Sequence, residues 1–517
     1  NERMFTDRKL DRYAHNIRGW EVVLPQLDLF KIHHFDNMTK ATSLKALEFA
    51  MRSENVQDLP FPPAVAVPQW GFDLLLDYNK HDVDETHKFF NETEEEIRFR
   101  DSMTERLGVD CTNFNDVKIG KTIFVQELEK AKPGCCYDSN KKVRQTKRGV
   151  MVLKDLVFPW VHFEMDCFNE VLAFFNSKTI TETKGVFKGL SAKLQDGFSF
   201  DFGLGGIHGS IKKTFVNSDE NYIIVDWDVV SFYPSLAIVN RLFPEHLGVQ
   251  YCDTNLSIFE DRKNYPKKTH KIINTALKLA VNGAYGATND QYSPLYDPEV
   301  TMTTTINGQL LLCMLAEQLL KIPNLSMVQA NTDGITVKCP RAYEQNMIEI
   351  VSLWERFTKL EMERQDYTKM YLRDVNNYLA VKPCGEVKRK GAYAYGDDLG
   401  WEKNHSSQIV AKAAEAKIVH DKCIITSIVS HTDINDFMIL GKVPKTSRLM
   451  WGEDEIQRIS RYLVTRSGKP LTKIMPPLKG KIDPRKFAIN KGWLTTPCND
   501  LRSGIPNDID YRFYIEE

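Results

Sequence analysis

Two apolar, β-branched runs lie well apart in the chain, and each delivers a carboxylate to a turn. No other feature narrows the possible folds as much. The first run is Tyr222-Ile-Ile-Val-Asp226-Trp-Asp228-Val-Val-Ser231-Phe232-Tyr233-Pro234-Ser235. It reads as a strand from Tyr222 to Val230, ended by a turn that Pro234 forces. The second is Met327-Val-Gln-Ala-Asn331-Thr-Asp333-Gly334-Ile-Thr-Val, within a short hairpin expected over Ser326 to Lys338. A carboxylate at the mouth of a strand suits a hard cation. The same residues also make turns without any metal, so neither run assigns chemistry alone.

Between the runs lies a helical region expected from Thr269 to Tyr285. Its polar residues Lys267, Lys271, Asn274, Lys278, Asn282 and Tyr285 recur at steps of 4, 3, 4, 4 and 3, which puts them on one helix face. Three lysines with amides and a tyrosine suit a triphosphate and a base pair better than a protein core. Arg262, just upstream, adds a further cation. A long helix is expected around Ile306 to Leu320, its stretch Gln309 to Leu320 buried. Glu94 to Arg106 is helical in tendency, and Lys130 to Arg148 is basic and turn-rich. After Gly391 short mixed segments with several Pro and Gly suggest a separate closing domain.

At 517 residues the chain is long enough for three or four domains. No apolar run approaches the ~18 residues of a membrane span, and the charged amino end does not resemble a signal peptide. Basic and acidic residues balance, 68 against 69, so any affinity for nucleic acid must come from local distribution. The 10 cysteines include no C-x-x-C pair, and adjacent Cys135 and Cys136 suit neither a zinc clip nor a disulfide framework. Reduced thiols in a cytoplasmic protein are the expectation.

The motifs together resemble those of family B DNA polymerases, in a bacteriophage-like style, from about residue 25 to the end. Asp228-x-x-Ser-Phe-Tyr-Pro-Ser235 is similar to the family's first palm motif. Lys278-x-x-x-Asn282-Gly-x-Tyr285-Gly286 resembles the fingers motif, with Gly283 where Ser is usual. Asn331-Thr-Asp333 resembles Asp-Thr-Asp. Phe202-Gly-Leu-Gly205-Gly206 resembles the glycine motif, without its Tyr, and Asn376-Asn377-Tyr378 stands where a Lys-x-Tyr primer-strand motif would be. The implied fold class is α+β (mixed α/β): a right hand with an antiparallel-sheet palm, short helical fingers, a thumb, and an RNase H-like exonuclease remnant at the amino end. The implied boundaries are 1–115 for a partial exonuclease domain, 116–200 for a linker to the palm, 201–254 and 291–395 for the palm, 255–290 for the fingers and 396–517 for the thumb.

What the resemblance implies for chemistry is template-directed DNA synthesis with two Mg²⁺ ions, Mn²⁺ able to substitute. Asp228 and Asp333 would be the metal ligands, with Asp226 a competing first ligand and Asn331 a peripheral one. Arg262 and Lys278 would bind the triphosphate, and Asn282 and Tyr285 would sit against the nascent pair. Tyr233 would lie under the sugar. Gly205, Gly206, Tyr378, Lys388 and Lys390, with Arg389, would hold the duplex. Expected partners are primer-template DNA, dNTPs and a processivity factor or other replisome proteins, in the cytoplasm of a host if the source is a phage. With only fifty positions from Asp228 to Lys278, there is no large insertion of the protein-primed kind, so ordinary annealed primers are expected to be extended.

Asp28-Leu-Phe-Lys31, Ser43-Leu-Lys-Ala-Leu and Tyr78-Asn-Lys-His-Asp82 resemble the later part of the family's 3′-5′ exonuclease domain. Tyr78 and Asp82 are its candidate residues. No Asp-x-Glu precedes them on a strand-like run; Asp7, Asp11 and Asp28 are in other contexts. The chain is therefore expected to be a fragment of a longer parent and to lack exonuclease activity itself. Two rival readings remain: a catalytically lapsed DNA-binding subunit, which the substitutions at Asn331, Gly203 and Asn376 motivate, and an exonuclease as the working activity.

Overall fold

The computed structural model describes residues 24–61, 66–478 and 480–517, so Asp7 and Asp11 lie outside the described residues. The amino-terminal part is helical: α1 (Leu44–Ala50), α2 (Phe72–Glu92), α3 (Glu94–Leu107) and α4 (Asp116–Ala131). Ser43 caps α1 and Asn115 caps α4, each side chain accepting a backbone N–H of the first turn. Among the described residues of 1–115 there is no named strand, so the sheet that an RNase H-like unit requires is absent there. α5 (Asp166–Ser177) then leads into a mixed α/β arrangement whose sheets are antiparallel.

The central sheet has seven strands. In chain order they are β1 (Ser191–Lys193), β2 (Ser199–Asp201), β3 (Ile207–Ser210), β5 (Tyr222–Val229), β6 (Ser326–Thr332), β7 (Gly334–Pro340) and β8 (Met362–Tyr367), with β4 (Thr214–Asn217) belonging to a second sheet. Their spatial order is β8-β5-β7-β6-β3-β2-β1. The period of two sorts β5: Ile223, Val225, Trp227 and Val229 enter the main core, while Ile224, Asp226 and Asp228 face the other way. After β5 come α6 (Phe232–Asn240), α7 (Gln250–Lys263), α8 (Lys271–Ala287) and α9 (Pro298–Leu319). Asp297 caps α9, Pro298 opens it, and Leu310 to Leu319 run almost wholly buried through the core. α10 (Glu344–Thr358) follows the hairpin, and β9 (Lys369–Asp374), β10 (Asn377–Val381) and β11 (Val387–Lys390) form the second sheet in the order β11-β10-β9-β4.

Pro234 does not force the turn after β5. It sits inside the first turn of α6, where its missing N–H costs nothing, and the chain turns at Ser231, whose φ is 47°.

Among the described residues two sizeable further cores lie outside the central one, besides smaller clusters around Tyr367 and Tyr378 and around Phe35 and Phe89. α3, α4, α7 and α8 share Phe99, Met103, Ile119, Phe124, Tyr251, Leu277 and Ala280. α4 crosses α8 so closely at Gly120 that a Cβ there would lie 2.4 Å from the Leu279 carbonyl oxygen. Segment 94–131, divided in sequence between an exonuclease domain and a linker, thus packs as part of one bundle with α7 and α8. The carboxyl-terminal part holds α11 (Gln408–His420), a six-stranded sheet built on β15 (Ile459–Met475), and α12 (Tyr511–Glu516). The other strands are β12 (Ile439–Lys442), β13 (Arg448–Trp451), β14 (Asp454–Ile456), β16 (Arg485–Ala488) and β17 (Leu494–Pro497). Phe49 of α1 packs into that core, and buried Arg461 donates to the carbonyls of Ser53 (2.6 Å) and Glu54 (2.9 Å). No helix among the described residues is long and apolar enough to cross a membrane.

Candidate active site

Asp228 and Asp333 come together because β5 pairs with β7. Asp228 lies opposite Gly334, and the Val229 N–H donates to the Asp333 carbonyl at 2.8 Å. A Cβ on Gly334 would stand 1.9 Å from Asp228 Oδ1. The glycine after Asp333, expected as a turn residue, is there to make room for the neighbouring carboxylate. The turn itself falls on Thr332 and Asp333, with Thr332 at a φ of 51°. A β-branched residue in that region is strained. Ser231, at the end of β5, is also left-handed, so both carboxylate-bearing turns store backbone strain.

Neither the Asp228 nor the Asp333 carboxylate accepts a hydrogen bond from a side chain or from another residue's N–H among the described residues. Burial, then the charges of Asp226 and Asp333, push Asp228 up to about 7. Asp333, at the exposed tip, is also raised by the protein packed around its carboxylate and by Asp226. Two adjacent carboxylates with unused lone pairs and disfavoured charge are a donor set for hard divalent cations, and the residues present fit Mg²⁺. Asn331 is linked to Asp333 only through the backbone, its carbonyl accepting the Asp333 N–H at 2.5 Å.

Asp226, two residues along the same face, is differently placed. It is buried, accepts from Thr336 Oγ1 at 2.7 Å and Tyr367 OH at 3.4 Å, and lies 3.9 Å from Lys388 Nζ. Asp226 is already satisfied by protein groups, and Asp228 is not. Thr336, Tyr367 and the packing role of Gly334 were missed in the sequence; the signal available was the period of two from Asp226 to Asp228 and from Gly334 to Thr336.

The wall of the site is aromatic. Tyr233 of α6 donates to the Gly205 carbonyl at 2.9 Å and stacks on Tyr285 of α8 with centroids 4.3 Å apart. Tyr285 in turn bonds Thr305 of α9. Gly206, at a φ of 129°, packs so that a Cβ would meet both Thr332 and the Tyr233 hydroxyl at 2.8 Å. Gly206 therefore lies against the carboxylate hairpin itself, and Gly205 beside Tyr233. From Tyr285, Asn282 and Lys278 lie about 4.5 and 10.5 Å back along α8, both exposed.

The expected polar stripe needs correction. α8 begins at Lys271, so Lys267 is not on it, and Asn274 turns inward to donate to the Tyr265 carbonyl at 2.7 Å. Lys271 pairs with Glu95 of α3 at 2.5 Å. Arg262 and Lys278 have no carboxylate partner among the described residues, whereas Lys263 pairs with Glu260 at 3.0 Å. Lys267 and Lys268, in the connection before α8, are likewise exposed and without a carboxylate partner among the described residues, so Arg262 and Lys278 are two of several cations free for an anionic ligand.

The basic trio on β11 also divides. Arg389 is held by Glu415 of α11 at 2.5 and 2.8 Å, and by Asp398. Lys390 is exposed and Lys388 faces Asp226. Tyr378 is only 3% exposed, so it belongs to the core beneath Lys388 rather than to a duplex-contacting surface.

At the amino-terminal candidate, Asp82 is ion-paired with Lys45, which also donates to Glu48 at 2.9 Å and lies over the Tyr78 ring. An ammonium thus occupies the space between the two carboxylates. Asp28 caps a short helix and pairs with Lys31.

No protein-family model matches the chain, and no curated protein does. Among solved structures it is similar to the family B DNA polymerase from the hyperthermophilic archaeon Pyrobaculum calidifontis, with 14% identity and a TM-score of 0.44. The overlap takes in 95% of this chain and 62% of that one, so the chain spans less than two thirds of that structure's length. A likeness of that depth assigns neither activity nor substrate.

Proposed function

We propose that the chain is a DNA-directed DNA polymerase of the family B type, adding dNTPs to a primer 3′-hydroxyl. The observation that carries this reading is the Asp228 carboxylate, seated on Gly334 beside Asp333 and given no protein hydrogen-bond donor. Mg²⁺ bound there, in two ions, would neutralise triphosphate charge and make the 3′-hydroxyl a better nucleophile. Asp228 and Asp333 hold the ions. Arg262 and Lys278 bind the triphosphate, for which unpaired guanidinium and ammonium donors are suited. Asn282 meets the nascent pair one turn from Tyr285. Tyr233, fixed by Gly205 and Tyr285, forms a rigid floor under the sugar. Primer-template DNA and dNTPs are the substrates.

The exonuclease reading is weakened by Lys45, which already neutralises Asp82 and Glu48. Primer extension with Mg²⁺, run beside degradation of a 3′-labelled single strand, tests all three readings. Extension without degradation is expected. Degradation without extension would assign a nuclease, and DNA binding with neither would assign a lapsed polymerase.

A further inference from the structure

We infer that Glu129, Cys135 and Cys136 form a binding site for a borderline-soft divalent cation of the Zn²⁺ class, at the carboxyl end of α4. The inference is independent of the polymerase reading. In sequence the adjacent cysteines lack clip spacing; the fold adds a third donor from the last turn of α4. That helix ends at Ala131, and the chain doubles back at Gly134, whose φ of 76° suits glycine. The reversal brings both thiols to the Glu129 carboxylate. Glu129 Oε2 accepts the Gly134 N–H at 2.7 Å, and Oε1 accepts the Cys136 N–H at 2.6 Å. Each carboxylate oxygen keeps a second lone pair, so fixing the turn does not exhaust Glu129 as a ligand.

The spacing of the sulfurs carries the inference. Consecutive side chains of an extended chain point to opposite faces, yet Cys135 Sγ and Cys136 Sγ stand 3.8 Å apart. A disulfide would need ~2.05 Å. Two sulfurs each ~2.3 Å from a tetrahedral zinc ion lie about 3.8 Å from one another. Cys136 Sγ faces the Glu129 carboxylate as well as its neighbour, and the three ligand atoms all lie within 4.8 Å of one another. No other three His, Cys, Asp or Glu side chains among the described residues come together in this way. Sulfur sets the choice of metal: thiolates favour Zn²⁺, whereas Mg²⁺ keeps to oxygen, so this site differs in kind from Asp228 and Asp333. On binding, both thiols give up a proton to solvent, and two metal–thiolate bonds and one metal–carboxylate bond form. Water fills the fourth position, reached from the half-buried Glu129 side, since the cysteines are only 3% and 0% exposed.

The surroundings give the ion a structural role. Cys135 and Cys136 belong to the core that α3, α4, α7 and α8 share. The Cys136 carbonyl accepts the Arg144 N–H at 2.9 Å. The chain then runs to Arg148, which pairs at 2.9 Å with Asp297, the cap of α9. The ion therefore staples the end of α4 to the segment that joins the helical bundle to the central core.

The test uses Cd²⁺ as the probe and Zn²⁺ as its competitor. The full chain is kept reduced by a phosphine, with the exposed Cys384 and Cys423 changed to Ser so that they bind no probe. A single Cd²⁺ should bind with the ultraviolet charge-transfer band of a metal–thiolate bond. Zn²⁺ should displace it, and a large excess of Mg²⁺ should not. Cys135→Ser and Cys136→Ser should each weaken binding by more than the ~10–100-fold that loss of an outer-shell partner costs. Glu129→Gln should weaken it too, and Asp228→Asn should leave it unchanged. A local readout needs no variant: amide exchange over 132–146 should slow when Zn²⁺ is added to wild type. Absence of the charge-transfer band, or binding that survives the loss of both cysteines, would mean thiols that are merely packed together and would overturn the inference. So would amide exchange over 132–146 that saturating Zn²⁺ leaves unmoved.

Discussion

At the scale of single residues, the proposed chemistry rests on Asp228, Asp333 and the close approach of Gly334 to Asp228. Asp228→Ala or Asp333→Ala should abolish nucleotide incorporation while duplex binding, which comes from basic contacts to phosphates, is largely kept. Gly334→Ala should lower kcat by about 100-fold or more, since its methyl would displace the Asp228 carboxylate; single-turnover rates would show it, beside some loss of melting temperature because the methyl also stands 2.8 Å from the Trp227 carbonyl oxygen. The raised pKa of Asp228 has a thermal consequence. The fold is favoured with that carboxyl protonated, a contribution full below the ordinary value of 3.8 and lost as pH rises through about 7. Metal-free protein should therefore melt lower as pH rises across that window, Mg²⁺ should reverse the loss, and Asp228→Asn should flatten the slope. A metal-free melting temperature with the same pH slope in wild type and Asp228→Asn would contradict this. That Asp228 lies on a strand and Asp333 in a hairpin turn was legible, because alternation and turn residues leave a local pattern. The reason for Gly334 and the partners of Asp226 were not, because each depends on which strand lies alongside β5.

At the scale of elements, the strand, the hairpin and the helices α3, α8 and α9 were legible from residue pattern, while α2, α4, the faces and the junctions were not. β5 and the β6–β7 hairpin fall where their alternation put them. The α8 stripe was over-read: its spacing fits a helix face, but the helix starts only at Lys271, and Asn274 is drawn inward by the Tyr265 carbonyl. Pro234 was read as a stop where it is a tolerated first-turn residue. The packing of α4 on α8 had no sequence signal beyond Gly120 in a helix. Gly120→Val should force the two helices apart and cost roughly 1–3 kcal/mol, read by urea unfolding. Lys278→Ala, on the exposed face of α8, should raise the KM for dNTP without changing stability.

At the scale of the molecule, a balanced total charge conceals a concentrated one. From 466 to 491 the chain carries Arg466, Lys469, Lys473, Lys479, Lys481, Arg485, Lys486 and Lys491 against the single acid Asp483. Lys473, Lys481 and Lys486 have no carboxylate partner among the described residues; Lys473 and Lys486 stand on opposite faces of the β15–β16 ribbon, and Lys481 lies in the connection between the two strands. Neutralising those three to Gln should reduce the slope of log affinity for duplex DNA against log salt by up to about 2.7, at roughly 0.9 per phosphate contact. The basic run is written in the sequence, whereas the bundle formed by 94–131 with α7 and α8 required the fold to be seen. The central claim is that Asp228 and Asp333 join nucleotides under the direction of a template. It is tested most directly by single-nucleotide incorporation on an annealed primer with Mg²⁺, offering each of the four dNTPs in turn to wild type, Asp228→Ala and Asp333→Ala. Wild type should add only the complementary nucleotide, and neither variant should add any. Incorporation by Asp333→Ala at near the wild-type rate, or addition by wild type regardless of the template base, would contradict it.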